Sequence, residues 1–331
     1  MSDVALSPNP ARLREVPDDA LRAIYTPDVM ERLWNQRQPS KHLIDRRRVL
    51  VACGPYPSNP RAAVVVRWLR AKKVAWDTYV SAAFSCGLFE GVHGADLRAR
   101  LTGVDDEGFR SGMAECLACW ILAGPLRLPL RPRLAGRNGS ILDNGIRHPD
   151  GDMGVEVKAP FREQPTGVWS GDDADLLMDC LERANEQFRD DCRNVLFLVP
   201  QLRISVFHLR SQLIRAFFGQ EKMTFLMNTQ TGSAEGPMEL EFFPEGKFLN
   251  RYRPDGRLLK SDGRPGYTRI SAVVCVEERY ADDENLIFHR MLVLHNPVAR
   301  YSVPTNLWGD CPQFVLKDDK MLWTDGHALL P

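Results

Sequence analysis

The chain has 331 residues, of which 44% are hydrophobic and 26% charged, and its 43 basic and 43 acidic residues give no net charge. These values are typical of a folded globular protein and exclude extensive disorder. No apolar run approaches the length of a membrane span, and residues 1–6 lack the basic-then-hydrophobic order of a secretory signal. We therefore expect a protein with no membrane partner. Because nucleic-acid binders are often basic, a nucleic-acid function here would depend on a local basic surface.

Three regions are predicted along the chain. Residues 1–104 begin with a proline-punctuated arm and continue in helices, one of them amphipathic and running from Arg61 to about Cys86. Residues 105–220 alternate between helix and strand patterns. Residues 221–331 are β-rich, with strand candidates separated by Gly, Pro and Asp turns.

The central region opens with a predicted helix from Asp105 to about Ala123, in which apolar residues recur at helical spacing. Glu115 lies within this helix beside an otherwise apolar run. A strand is predicted next, from Arg127 to Ala135.

Two short strands then flank an Asp-Gly dipeptide at 150–151, which favours a two-residue hairpin turn. With that dipeptide at the turn, Asp143 lies opposite Lys158 and Glu156 lies opposite Gly145. Directly opposed residues of an antiparallel pair share a face, and residues two apart on one strand do as well. The register therefore brings two carboxylates and an ammonium group to one patch.

The other face of the second strand is apolar and suited to a buried core. Its residues are Met153, Val155, Val157 and Ala159. A one-residue slip would bury the charges and expose the valines, so burial fixes which face is which.

The predicted elements after the hairpin begin with a helix that opens at residues 171–173 and runs to about Cys192. A strand buried on both faces follows at 195–199. Together with the strand that carries Glu156 and Lys158 and the helix between them, it is expected to form a right-handed βαβ unit. A helix is predicted at 204–218. Further strands are predicted at 238–243, 270–276 and 288–294.

This order of elements resembles the core of the PD-(D/E)XK nuclease superfamily, whose restriction-endonuclease-like fold is αβββαβ. The resemblance covers roughly residues 105–200 and implies an α/β fold with a mixed central sheet, an N-terminal helical region and a β-rich C-terminal extension. In the family the first carboxylate often follows a proline, whereas Asp143 follows a leucine. The Pro149-Asp150 pair has the proline that the family pattern expects, but it is better explained as part of the hairpin turn. Asp143 is therefore the preferred first carboxylate, and Asp150 and Asp152 are the alternatives.

The resemblance implies a role for each charged residue. Asp143 and Glu156 would ligate Mg²⁺, with Mn²⁺ as an alternative, and the backbone carbonyl of Val157 would add a third oxygen. Lys158 would orient or deprotonate a water molecule and stabilise the transition state. Glu115 resembles a helix glutamate that supports a second metal ion or a water molecule.

The same resemblance implies a metal-dependent DNA endonuclease of restriction or defence type, acting on DNA in preference to RNA, as a homodimer or with defence partners. Gln187 is a candidate for the glutamine that some branches of the family carry after the lysine. Two alternatives stay open: a non-catalytic nucleic-acid-binding or structural subunit with the same fold, and a glycosidase with paired carboxylates, which would leave Lys158 unexplained. The predicted phosphate-contacting residues are Arg127, Arg131, Arg133 and Arg137.

Eight cysteines are scattered through the chain. Several lie in apolar helix or strand contexts, so we expect reduced thiols and a cytoplasmic protein. Cys116 and Cys119 have C-x-x-C spacing, but they lie within a predicted helix and no second ligand pair is close in sequence, so a core role is expected rather than a zinc site.

Overall fold

The fold was obtained as a computed structural model, which describes most of the chain. The described residues are 19–51, 60–149, 151–161, 173–200, 213–214, 217–227, 230–231, 234–243, 246, 248–249, 265–281, 286–317 and 320–324.

Six α-helices precede the first strand within this part of the chain. They are α1 (Ala20–Ile24), α2 (Pro27–Trp34), α3 (Lys41–Val51), α4 (Pro60–Cys86), α5 (Gly91–Thr102) and α6 (Asp106–Ala123). α6 begins where predicted, because the Asp105 side chain caps it by accepting a hydrogen bond from Gly108 N at 2.6 Å. Across the described residues, every helix is too short or too polar to cross a membrane.

Ten strands, one further α-helix and one short 3₁₀ helix (Thr305–Trp308) follow in the described residues. The strands are β1 (Leu130–Ala135), β2 (Ile141–Ile146), β3 (Met153–Lys158), β4 (Arg193–Leu198), β5 (Gln220–Met227), β6 (Ala234–Phe243), β7 (Ala272–Ala281), β8 (Leu286–His295), β9 (Gln313–Lys317) and β10 (Lys320–Thr324), and α7 (Asp173–Gln187) connects β3 to β4. Eight strands form one sheet in the order β1-β2-β3-β4-β7-β8-β9-β10, and β5 pairs with β6. The pairs β3–β4, β4–β7 and β8–β9 are parallel and the others are antiparallel.

The predicted mixed α/β architecture is confirmed, and the central elements follow one another as α6, β1, β2, β3, α7 and β4. The strands predicted at 238–243, 270–276 and 288–294 correspond to β6, β7 and β8. β7 and β8 continue the central sheet, so the C-terminal third contributes to the same layer. The helix predicted at 204–218 falls mostly outside the described residues.

The sheet separates two hydrophobic cores, and the alternation along β4 makes this plain. Val195 and Phe197 pack with α4 and α6 on one side, whereas Leu196 and Leu198 pack with α7 on the other. All four side chains are completely buried, as expected for a strand covered on both faces.

The predicted register between β2 and β3 is wrong by two residues. Gly145 pairs with Gly154, where the prediction placed Glu156. The turn forms earlier, because Gly151 N donates to His148 O at 3.0 Å and Pro149 takes the second turn position, for which its fixed φ is suited. Asp150 lies outside the described residues. Since the shift is an even number, each side chain of β3 keeps its predicted face.

The β1–β2 hairpin changes sides partway along its length. Leu130 and Ile146 pack on the α6 side of the sheet, whereas Leu134 and Leu142 pack on the α7 side. In each strand the two residues are four apart, so a regular strand would place them on the same face. Between them Arg133 has a φ of 59°, in the left-handed region. This reversal turns the outer part of the hairpin and brings residues of both strands to the end of β3.

Candidate active site

The strands β2 and β3 separate at the end of their ladder, and Asp143 fills the gap. The last backbone pair is Asn144 with Val155. Beyond it, Val157 N donates to Asp143 Oδ2 at 2.8 Å, so a carboxylate takes the place of a strand carbonyl. The Glu156 carboxylate in turn lies close to the backbone of Asp143. The two predicted carboxylates are therefore held at one point by reciprocal backbone contacts.

Glu156 and Lys158 project from the same face of β3, as predicted. Lys158 Nζ donates to Glu156 Oε1 at 2.6 Å and to Gln187 Oε1 at 3.0 Å. The glutamine near the end of α7 thus lies against the lysine. Glu156 is buried, and its Oε2 is one of the buried side-chain oxygens of the described residues that accept no hydrogen bond.

Glu115 joins the cluster from α6 through two arginines. Arg100 donates to Glu115 Oε1 in a short ion pair, and Arg133 Nη2 lies 3.2 Å from Glu115 Oε2. Arg133 Nη1 also lies 3.4 Å from Asp143 Oδ1, so its guanidinium bridges the two carboxylates. Arg133 was predicted to contact phosphate, but its side chain is only 15% exposed and is engaged with these acids. Arg100 lies on α5 and was not predicted from the sequence.

Asp143 and Glu156 hold their protons more tightly than carboxylates usually do. Burial, followed by the negative charges of Glu115 and Glu156, raises the pKa of Asp143 well above its ordinary value. Burial also raises the pKa of Glu156, and the charge of Lys158 offsets this only in part. Repulsion between neighbouring carboxylates favours the binding of a cation close to them.

The donor set fits a hard divalent cation with few protein ligands. No group of three or more His, Cys, Asp or Glu within the described segments is arranged to hold one metal ion. Mg²⁺ commonly retains several waters and takes one or two carboxylates, which Asp143 and Glu156 can supply. The unpaired Glu156 Oε2 is the specific observation in favour of this fit. The predicted Val157 carbonyl belongs to the same strand end.

The other predicted residues lie outside this cluster. Arg127 and Arg131 are exposed, and Arg131 Nη1 lies 3.4 Å from Asp152 Oδ2. Arg137 Nε lies 3.6 Å from Asp190 Oδ2, near the end of α7. Asp152 is therefore engaged with Arg131 away from Asp143, and the four arginines of the sequence cluster do not form a single surface.

A separate cavity of about 250 Å³ lies between α4, α6 and the start of β8. Its lining residues are Arg70, Ala71, Val74, Ala75, Thr78, Tyr79, Trp120, Leu286, Ile287 and His289. None of the clustered carboxylates lines it, so the chemistry predicted for Asp143 and Glu156 is not that of the cavity.

Comparison with protein-family models, with curated proteins and with solved structures found no match to this chain. The functional argument accordingly depends on the geometry and charge of the side chains described above.

Proposed function

We propose that the chain hydrolyses phosphodiester bonds of nucleic acid with the help of Mg²⁺ or Mn²⁺, and that its substrate is DNA. The observation that carries the proposal is the convergence of Asp143, Glu156 and Lys158, with one buried Glu156 oxygen unpaired. The succession α6, β1, β2, β3, α7, β4 supports it, because it matches the αβββαβ order of a restriction-endonuclease-like core.

Each residue has a role that its contacts suit. Asp143 and Glu156 would hold the ion, which would lower the pKa of a bound water and offset charge on the phosphate. Lys158 would orient the attacking water and donate to the non-bridging oxygens as negative charge builds up. Gln187 Oε1 keeps the ammonium group aimed at this point through its 3.0 Å hydrogen bond.

The remaining charged residues fix the site. Arg133 lies between Asp143 and Glu115 and offsets part of their negative charge, and Arg100 anchors Glu115 to α5. Seven described cysteines are free thiols, which fits the cytoplasmic, reducing setting that we propose. A restriction or defence role is an extension of this proposal by analogy.

The test is a cleavage assay on duplex DNA, single-stranded DNA and RNA with Mg²⁺, Mn²⁺ or EDTA. Asp143→Asn, Glu156→Gln and Lys158→Met are each expected to lower kcat by about a hundredfold or more, since each removes a metal ligand or a positioned proton donor. Asp152→Asn is the matched control, because it changes the same functional group on the same hairpin outside the cluster, and it is expected to cleave normally.

Two results would contradict the proposal. Equal cleavage by all four variants and the unaltered chain would remove the site from the chemistry. Metal-independent DNA binding without cleavage would instead favour the non-catalytic binding subunit.

A further inference from the structure

Three arginines converge on a single aspartate at the loop that joins α7 to β4. Arg269 Nε lies 2.7 Å from Asp190 Oδ1, Arg300 Nη1 lies 3.6 Å from the same oxygen, and Arg137 Nε lies 3.6 Å from Oδ2. Arg300 Nη1 also donates to the backbone carbonyl of Asp190 at 3.0 Å. The three guanidinium groups come from distant parts of the chain and meet at one point of the surface. We call Arg137, Arg269 and Arg300 the arginine cluster.

The arginine cluster has more positive charge and more donors than Asp190 can match. Three guanidinium groups bring roughly 15 N–H donors, whereas one carboxylate offers about four lone pairs. The neighbouring Asp191 does not add a counter-charge, because Arg189 binds it through two hydrogen bonds of 2.7 and 2.5 Å. Among the described residues, the ion pairs of these three positive charges are thus all with one negative charge, Asp190.

The arginines are held in place yet open to solvent. Arg137 N donates to Gln187 O at 2.8 Å, and Arg300 N donates to Thr268 O at 2.8 Å. The side chain of Arg137 is 40% exposed and that of Arg300 is 50% exposed, whereas Arg269 is 20% exposed. The first two can therefore reach a ligand, while Arg269 anchors the aspartate.

We propose that the arginine cluster binds a backbone phosphate of the nucleic-acid substrate. Guanidinium groups match the geometry of phosphate oxygens, and backbone phosphates account for much of the affinity of nucleic-acid binders. The identification of the phosphate as part of nucleic acid rests on the proposed function.

The placement of the arginine cluster suits a phosphate near the cleaved one. Gln187 contacts Lys158 through its side chain and Arg137 through its backbone. Asp190 follows Gln187 by three residues, a reach of at most about 11 Å. The substrate strand would thus continue from Lys158 past the end of α7, and the C-terminal third would supply Arg269 and Arg300 to hold it.

A purely structural role is the competing explanation, because the same contacts join the β1–β2 turn to the segments flanking β7 and β8. The two explanations predict different effects of the substitutions on how DNA affinity depends on salt concentration. A phosphate contact releases counterions, so losing one lowers the dependence of log K on log salt by about 1. Loss of a structural contact lowers stability and leaves that slope unchanged.

The experiment measures binding of a short fluorescent duplex DNA in EDTA, by anisotropy, from about 50 to 200 mM salt. Arg137→Gln and Arg300→Gln are each expected to weaken binding about three- to tenfold at the lowest salt and to lower the slope by about 1, with an unchanged urea midpoint. The control is Arg22→Gln, since Arg22 lies on α1, is 84% exposed and pairs with Asp19.

The outcomes separate this proposal from the proposed function. Unchanged slopes with lowered urea midpoints would show that the arginine cluster is structural, even if the chain cleaves DNA. If both variants lower the salt slope as expected but the chain cleaves no nucleic acid, phosphate binding by the arginine cluster is upheld and the nuclease function is rejected. Displacement of the DNA by a few millimolar inorganic phosphate, beyond its effect as salt, would overturn the nucleic-acid assignment in favour of a small phosphate ligand.

Discussion

Arg133 carries two costs that its neighbours offset. Its φ of 59° places a bulky side chain in the left-handed region, at about 1 kcal/mol or more. Its guanidinium is largely withdrawn from water, which is unfavourable unless it is paired. Both Glu115 and Asp143 lie within 3.4 Å of it, so the backbone conformation is what allows one cation to serve two acids. Without the Arg133 guanidinium, the repulsion between the Glu115 and Asp143 carboxylates would be stronger.

At the residue scale, the crowding of carboxylates predicts that Asp143→Asn stabilises the metal-free protein at pH 8. Folding raises the pKa of Asp143, so the ionised form is the less stable one in the folded state. Stability linked to this group is highest at low pH and is lost as the pH rises from about 4 through the folded pKa. Asparagine does not titrate and still offers an oxygen to Val157 N. The gain in urea-unfolding free energy should therefore be larger at pH 8 than at pH 5, with EDTA present.

Asp152→Asn is again the matched control, because Asp152 lies outside the cluster. Its effect on stability is expected to be within about 0.5 kcal/mol at both pH values. An Asp143→Asn chain that is less stable than the unaltered chain at both pH values would indicate that the contact with Arg133 outweighs the repulsion.

At the scale of elements, local patterns predicted the pieces of the site and tertiary contacts decided how they meet. The sequence predicts the Asp105 cap, the helical spacing of α6 and the alternation of β3. Glu156 and Lys158 share the face that this alternation predicts. The register of β2 could not be predicted in this way, because the chain turns with Pro149 at the second position and not with Asp-Gly at the two central positions.

Other features of the site left no local signal. A positive φ is expected at Gly or Asn, so nothing in the sequence marks Arg133 as the point where the hairpin changes sides. Arg100 reaches Glu115 from a different helix. On β3, close packing requires a glycine at position 154, since a Cβ there would lie 2.6 Å from Leu142 Cδ1 and 2.7 Å from Asn194 Oδ1.

The outer part of the β7–β8 hairpin holds a second cluster of polar side chains, partly buried against α4. Tyr79 Oη lies 3.0 Å from Glu278 Oε2 and 2.6 Å from His289 Nε2, and Lys72 pairs with Glu278. Because the carboxylate can only accept, the tyrosine proton goes to Glu278 and His289 Nε2 must carry a proton to donate to Tyr79. Burial, followed by the charge of Lys72, lowers the pKa of His289 to about 4.

This arrangement predicts a loss of stability in mild acid that depends on His289. The unfolded chain takes up a proton on histidine near pH 6.5, whereas the folded protein does so only near pH 4. Stability is therefore lost as the pH falls through this window, by up to about 3 kcal/mol from this group. His289→Gln, whose amide can still donate to Tyr79, should flatten the curve of unfolding free energy against pH between 6.5 and 4.

The control is His93→Gln, because His93 is exposed on α5. It should leave the pH dependence unaltered. An equally steep loss in the His289→Gln chain would mean that other groups cause it.

At the scale of the whole molecule, the three regions predicted from the sequence are joined by the hydrophobic core on the α6 side of the sheet. Buried residues of the N-terminal helices, such as Trp76, belong to the same cluster as Val155 of β3 and Trp308 near the C-terminal strands. α6, which carries Glu115, is covered by α4 and α5 on one side and by the sheet on the other. The arginine cluster likewise draws on the central region and the C-terminal third. A site at the end of β3 therefore depends on packing contributed by all three regions.

We accordingly expect the described core to unfold as one cooperative unit. Native-state hydrogen exchange at rising urea is the measurement, because it resolves each element without altering the chain. The slowest amides of α4, β4 and β8 should converge on one unfolding free energy and one dependence on urea, since each borders the same cluster. The short helix α2 is the internal control: Leu33 is its buried residue, so its amides should exchange through local opening at a lower free energy. Separate free energies for α4 and for β4 with β8 would instead mean that residues 1–104 fold independently of the sheet. The contacts that α4 makes with α6 would then add little to the stability of the site.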